Sequence, residues 1–431
     1  MYLLNKKIMT FFQSNKNKFL QIAIFLISMP VATLAQNNSS PYSVLGIGDI
    51  ESSSFNRYTG MASAGVALSD SRYINNSNAA SLTALLPRFY SFELSERYKQ
   101  VLYSGDGVVA PNNQTSDFQM RRLTLAAKIT KHWGSSIGLM PFSTSSYNFT
   151  SLKVIQGTLE NISATYQGQG GINQVYWANG YQITKNTSIG VTSSILFGSL
   201  TQTENLESAG SAGTLITTSN NFLHNYYFNF SLLTKLKLNK HWLSTYGITF
   251  TPITALHSTY TVNVTDSSTG AAIKTGTPVY GYFRLPMGIN AGIALIKDNK
   301  YTFTVNAQTQ QWGSLNDVGQ NYQLVNSSRI SLGFQSSSLV KNYFNQDYEK
   351  GFFQLGLYAG NSYLRVNNQQ LTDFGATIGY GRNSFRSPLG WVAALELGRE
   401  GSTNQSVLSQ NYVNLTITLS YLDFFNTNKN L

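Results

Sequence analysis

The 431-residue chain contains no cysteine, which excludes disulfide frameworks, zinc–thiolate centres and thiol catalysis together. Charge is scarce as well: Asp, Glu, Lys and Arg supply 11% of residues, under half of the roughly 25% carried by ordinary soluble proteins. Beyond the first 35 residues no apolar run approaches the roughly 20 residues that a membrane-spanning helix requires, so a helical membrane protein is excluded. A membrane barrel is not, because only every second residue of a spanning strand meets lipid and its average hydropathy stays moderate. Lys and Arg exceed Asp and Glu by 11, or by 7 once the four lysines of the first 35 residues are set aside, but they form no run that would make a nucleic-acid patch. An excess of this size suits anionic lipid headgroups and also plain solubility.

What the chain has in quantity is aromatic residues, 13%, among many Gly, Ser, Thr and Asn. Residues 1–35 read as an export signal. Lys6, Lys7, Lys16 and Lys18 give a basic start, "FLQIAIFLISM" an apolar stretch too short to span, and Thr33-Leu34-Ala35 small residues for cleavage before Gln36. From Arg88 onward, period-two alternation dominates. Val413, Leu415, Ile417, Leu419 and Tyr421 alternate with Asn414, Thr416, Thr418 and Ser420. Leu123, Leu125, Ala127 and Ile129 alternate with Arg122, Thr124 and Lys128, and Tyr226, Phe228, Phe230 and Leu232 with Asn225, Asn229 and Ser231.

The breaks between these runs are of two kinds. Short polar turns, "TKHW", "TKNT", "NKHW" and "KDNK", alternate with longer loops at 104–117, 202–220 and 265–278. Short turns on one side and long loops on the other is the asymmetry of a bacterial outer-membrane barrel, short side in the periplasm. The pattern predicts an all-β, transmembrane antiparallel barrel of fourteen strands, beginning near 88–104 and 118–130 and ending near 388–401 and 410–425. The barrel spans 88–425, and 426–431 is left as a tail. The two Lys-His-Trp turns place Trp133 and Trp242 at the periplasmic interface, ring body in lipid and N–H toward water.

Residues 36–87 do not alternate. They are rich in small residues and hold many apolar ones, including Ile47, Phe55, Met61 and Ile74, which would be costly to leave solvated. A plug folded inside the barrel accounts for them.

The string "GMASAGVALSDSRYINNSNAASL" resembles the N-terminal hatch of the FadL-type outer-membrane transporters of hydrophobic compounds, where a Gly/Ala-rich stretch leads to Asn-Pro-Ala before the first strand. Here Asn78, Ala79 and Ala80 stand at those positions, and the proline is missing. "GQGGINQVYWANGYQITKNTSIGV" and "SSILFGS" are similar to the fourth and fifth strands of Bacteroidota-type members. The resemblance implies a fourteen-stranded barrel blocked by the hatch, with a kink in strand three that opens a side window for hydrophobic substrates. Gly60, Gly65, Asn78, Ala79 and Ala80 become hatch or gating residues. Pro141, in "GLMPFSTSS", falls in strand three, and proline independently removes a ladder hydrogen bond there. Pro252 and Pro286 also fall within strands, so a simple rim bulge remains open.

Strand parity sends Arg122, Lys128, Lys235, Arg284 and Arg329 into the lumen, with apolar Leu196, Tyr227, Leu233, Phe352 and Tyr358. Of these Arg122, Arg284, Arg329, Leu196, Tyr227, Leu233, Phe352 and Tyr358 form the candidate ligand site, bases for a carboxylate head and apolar groups for its tail. The inward bases could equally pair with Asp49, Glu51 or Asp70. His132, His224, His241 and His257 lie at turns, strand ends or near a loop, with no "GxSxG" elbow and no carboxylate cluster beside them, so neither catalysis nor a metal site is indicated, and no cofactor is implied. The expected role is passive uptake of small hydrophobic or amphipathic molecules such as fatty acids across the outer membrane of a Gram-negative bacterium. Lipid and lipopolysaccharide would be its surroundings. The alternative is a non-transporting barrel, PorV-like, whose loops hold partner proteins in a secretion or assembly complex.

Overall fold

The computed structural model describes residues 40–105, 113–154, 161–207, 215–319, 322–341, 347–384, 387–402 and 407–424. The expected signal peptide, the first residues of the plug and the tail at 426–431 lie outside the described residues.

Fourteen antiparallel strands make a closed barrel among the described residues. They are β1 (Phe89–Ser104), β2 (Gln114–Lys128), β3 (Trp133–Thr144, continued by Tyr147–Val154), β4 (Asn161–Gln182) and β5 (Thr187–Glu207). Then come β6 (Leu215–Lys237), β7 (Trp242–Thr251 and Thr254–Asp266), β8 (Val279–Leu285 and Gly288–Lys297) and β9 (Tyr301–Gln310). β10 (Ser327–Lys341), β11 (Asp347–Val366), β12 (Gln369–Asn383), β13 (Leu389–Gly401) and β14 (Ser409–Phe424) complete the wall. β1 pairs with β14 from Phe89↔Phe424 to Ser104↔Ser409, which removes both sheet edges.

Burial is inverted relative to a soluble protein, as alternation requires when the outside is hydrocarbon. Along β14 Val413, Leu415 and Ile417 are exposed while Asn414, Thr416, Thr418 and Ser420 are buried. Along β1, Phe92 and Tyr98 point out and Ser91, Glu93, Ser95, Arg97 and Lys99 point in.

The repeated turn is explained by local hydrogen bonding. Thr130 Oγ1 accepts from the amides of His132 and Trp133, Asn239 Oδ1 from those of His241 and Trp242, and Thr184 Oγ1 from those of Asn186 and Thr187. Each turn opens with a short side-chain oxygen that closes an Asx- or ST-turn. The Trp133 indole N–H bonds Asn179 Oδ1 at 3.0 Å on the next strand rather than reaching for water.

Several loop bounds move. β2 begins at Gln114, β5 runs to Glu207 and β6 begins at Leu215, so 114–117 of the first polar stretch and all the described residues of 202–220 are strand. Within 265–278, Ala272–Lys274 folds back on β7. Their polar composition reads as loop because these strand ends stand beyond the lipid. Residues Tyr322–Leu324, which precede β10, form a separate short strand against the end of β11.

The plug fills the barrel. Phe55, Met61, Ala64, Val66, Ala67, Ile74 and Ala80 are fully buried, and its backbone contacts wall positions that have no side chain. A Cβ on Gly247 would lie 2.1 Å from Val66 O, one on Gly356 2.3 Å from Ala62 N, and one on Gly180 2.3 Å from Ala79 O. The plug's polar backbone is satisfied by the wall: Ala62 N–H donates to Thr377 Oγ1 (2.9 Å), and Gly60 and Ala64 carbonyls accept from Thr377 and Thr304. Buried backbone groups demand partners of this kind.

Candidate functional site: a plugged lumen with a seam in its wall

The hatch residues have structural positions that can be stated. Asn78 caps a short 3-10 turn, Ala79–Ala84, accepting from Ala80 N–H, while its amide nitrogen donates to Val66 O and to Leu232 O of β6. The alanine that stands where the resembling family has proline seats its backbone against Gly180. Gly60 touches Gly379 of β12, and Gly65 lies under the Tyr58 ring, where any Cβ would clash at 2.6 Å.

The break at Pro141 is real and reaches further than one bulge. β3 pairs with β2 only from Lys128↔Gly134 to Leu123↔Leu139, and its register with β4 slips between Pro141 and Ser143. Above Leu139 the β2-facing edge of β3 has no wall partner among the described residues. The plug supplies one: Asp49 pairs with Thr144, Ile50 with Ser143, and Glu51 N–H donates to Phe142 O at 3.1 Å. Pro252 and Pro286 interrupt β7 and β8 at one level, between the pairs Thr251↔Gly288 and Thr254↔Leu285, but the two strands stay paired on either side.

A second device fastens the plug strand. β1 and β2 slip register between Ser95↔Arg122 and Glu96↔Met120, leaving Arg121 as the extra residue of a bulge. Both Arg121 and Arg122 therefore turn inward and are fully buried. Arg121 holds Glu51 Oε1 at 2.5 Å and Arg97 holds Glu51 Oε2 at 3.1 Å. Burial alone would raise the Glu51 pKa, but Arg121, Arg97 and Lys99 outweigh it and hold the carboxyl below its ordinary range. Asp49 is pushed the other way by burial, with Lys99 3.9 Å off as partial compensation. Alternation places Arg121 outside, and only the bulge reverses it, so the sequence carries no signal for this latch.

The candidate ligand residues inside the barrel separate into three groups. Arg122 pairs with Glu93 and donates to Phe55 O and Ile74 O, Leu233 is buried, and Phe352 packs against Tyr73 under the Arg57 guanidinium at 4.1 Å. Arg122 and Phe352 thus hold the plug in place. Leu196 joins Ile47, Leu223, Leu256, Leu285, Trp312, Tyr363 and Leu364 in an apolar cluster on the long-loop side, sealed by Tyr363 O–H to Gly48 O and Trp312 against Tyr363, ring centres 4.7 Å apart. Tyr227 and Arg329 line open space. Arg329 pairs with Asp373 at 2.9 Å and lies 3.8 Å over the Tyr358 ring, whose hydroxyl meets that of Tyr412. Arg284 does not face the lumen. Leu285 and Phe283 take the inward positions after the Pro286 break, and Arg284 is exposed with Tyr282 on the outer wall. Lys128 donates to Thr83 O of the plug.

Two cavities remain, on either side of residues 50–53. One of about 230 Å³ is bounded by Ile50, Met140, Pro141, Phe142 and Tyr227 next to the seam, and otherwise by amides and hydroxyls such as Gln174, Asn229, Asn290 and Gln308. The other, about 190 Å³, is lined by Asp49, Glu51, Arg97, Lys99, Arg329, Asp373, Glu396 and Glu400. The four histidines are elsewhere: His132 and His241 at exposed turns, His224 and His257 as exposed neighbours across β6 and β7, with ring centres 5.4 Å apart.

A closed barrel of this strand number, corked from its N-terminus and split along strand three, defines a plugged transmembrane β-barrel with the FadL-type fold. The solved structures agree. A FadL homologue from Pseudomonas aeruginosa is 13% identical, with 87% of this chain and 99% of that one covered at a TM-score of 0.59. The CymD monoaromatic hydrocarbon channel is 12% identical, covering 86% and 97% at 0.53, and the Pseudomonas putida toluene transporter TodX is 15% identical, covering 88% and 99% at 0.51. At such identities the likeness establishes the fold. The sequence model of the BamG family matches residues 16–429, and the chain belongs to the BamG family. Comparison with curated protein sequences returns no match.

Proposed function

We propose that this barrel is a passive outer-membrane channel of the FadL kind, releasing small amphipathic molecules sideways into the bilayer through the seam between β2 and β3. The observation that carries this reading is the seam itself. A stretch of wall above Leu139 is closed by three plug residues instead of by a neighbouring strand, and the larger cavity lies directly behind it. A guest in that cavity would rest its apolar part on Met140, Phe142 and Tyr227 and its polar part on the facing amides. The space, about 230 Å³, is smaller than the usual roughly 300–1,000 Å³ of ligand pockets, which favours a compact guest over a long-chain fatty acid. Withdrawal of residues 49–51 would join cavity and lipid, and no energy source is needed. Neighbours in the fold are named as a toluene transporter and a monoaromatic hydrocarbon channel, which suits a guest of this size.

Because the chain has no cysteine, Ile50→Cys with Ser143→Cys makes one unambiguous crosslink across the seam. Proteoliposome uptake of toluene and of octanoate should fall on oxidation and recover on reduction. Equal uptake in both states rejects the lateral route.

A second reading, a non-transporting barrel that serves partner proteins, is favoured by a different observation. Lumen cations Arg97, Arg121, Arg122 and Arg329 are each matched by an internal acid, and the apolar cluster fills the long-loop side, so the interior holds itself together without a guest. Uptake no greater than that of empty liposomes, with a protein co-purifying at constant ratio in mild detergent, is the outcome that selects it.

A further inference from the structure

On the outside of the barrel, β10 to β13 present two successive rows of outward residues. The registers align Ile330, Ala359, Phe374 and Arg399 in one row, and Leu332, Leu357, Ala376 and Leu397 in the next. Ala359 and Ala376 are small among large neighbours, so the side chains around them enclose a groove on the lipid-facing wall, with Arg399 at its end. The row beyond, Ser328, Asn361 and Thr372, is polar. The apolar band therefore stops at the level of Arg399. Arg399 also stands ten residues along β13 from Leu389, at the short-turn end, which for a tilted strand is about 25 Å, the height of an outer-membrane apolar band. Its guanidinium is thus at the outer hydrocarbon boundary. It is exposed and has no ion-pair or hydrogen-bond partner among the described residues, whereas the lumen arginines named above are all paired.

We propose that this groove is a site for an acylated, phosphorylated glycolipid of the outer leaflet: one acyl chain lies over Ala359 and Ala376 between the flanking Phe374, Leu357 and Leu397, and Arg399 binds the phosphate. An unpaired arginine at the hydrocarbon edge gains most from a phosphate, which accepts two parallel hydrogen bonds. A zwitterionic headgroup offers no net charge to that site, and the long-loop side faces the outer leaflet. The site is separate from the lumen and does not depend on what the channel carries.

Delipidated protein in detergent is titrated with lipid A carrying its phosphates and with the dephosphorylated form, and bound lipid is counted by native mass spectrometry. The wild-type chain should prefer the phosphorylated form by about tenfold. Arg399→Gln should abolish the preference while retaining weak binding of both forms, and Ala376→Leu, which fills the groove floor, should weaken both. Arg284→Gln, removing another exposed arginine on the β8 wall, should leave the preference intact. Equal binding of the two forms by the wild-type chain, or the same loss from Arg284→Gln as from Arg399→Gln, overturns the assignment. Heat-dependent gel mobility confirms that each variant is a folded barrel.

Discussion

Replacing Glu51 with Gln tests the latch directly. Glu51 is the shared partner of two buried guanidiniums, Arg121 at 2.5 Å and Arg97 at 3.1 Å, and its side chain is 9% exposed. Removing one member of a buried ion pair costs about 3–5 kcal/mol, because the other charge stays behind unpaired. Gln keeps an acceptor oxygen, and Asp117 and Asp49 remain nearby, so about 2–3 kcal/mol is the reasonable expectation. The barrel ladders do not depend on this residue, so the loss should fall on the local equilibrium between seated and released plug strand. At 1.36 kcal/mol per factor of ten, the released fraction should rise about 30- to 150-fold. A nitroxide on Ser52→Cys, an exposed position next to the latch, reports this as a mobile component in its electron paramagnetic resonance spectrum. An unchanged spectrum in a folded Glu51→Gln barrel would refute the account of the latch.

The same label should respond to pH. The Glu51 carboxyl is held below its ordinary range in the seated state, so its contribution is complete above that range and disappears as pH falls through the lowered value; the raised Asp49 carboxyl acts in the opposite sense, so in an Asp49→Asn background mobility should be flat near neutrality and rise only in acid, and a rise on alkalinisation would contradict it. Gly247→Val should unseat the plug, since even a Cβ would meet Val66 O at 2.1 Å, whereas Gly281→Ala, with nothing within 4 Å, should be silent; planar-bilayer conductance separates the two. Asn78→Ala loses a cap and two bonds to backbone carbonyls and should cost the plug about 1–2 kcal/mol, seen as faster amide exchange at residues 62–80. Trp312→Ala should loosen the apolar cluster by about 3–5 kcal/mol, measured as a lower urea midpoint for protection of the Tyr363 amide, and an unchanged midpoint would mean that the cluster does not close that side.

Strands were readable because the barrel enforces a strict inside–outside alternation over long runs, and a period of two survives any tertiary detail. Turn positions were legible too, as short polar breaks; the structure adds that Thr130, Thr184 and Asn239 each offer a side-chain oxygen to the amides two and three residues on. The plug showed itself as apolar residues without alternation, since fifty residues with so many greasy groups must be covered. What failed was parity near irregularities. Arg284 was turned outward by the Pro286 break, and Arg121 was turned inward by the bulge.

Composition and alternation by themselves determined a lipid-embedded barrel of this strand number with a cork at its start, because those properties follow from each residue's preference for lipid, water or the interior. Only the tertiary structure decided that the plug closes the wall at Ser143 and Thr144, that Glu51 is the pin between Arg97 and Arg121, and that the cavity beside it is small and mostly polar. These depend on which distant strands become neighbours and on single-residue register slips, and a slip of one residue reverses a side chain without altering the pattern that a sequence displays.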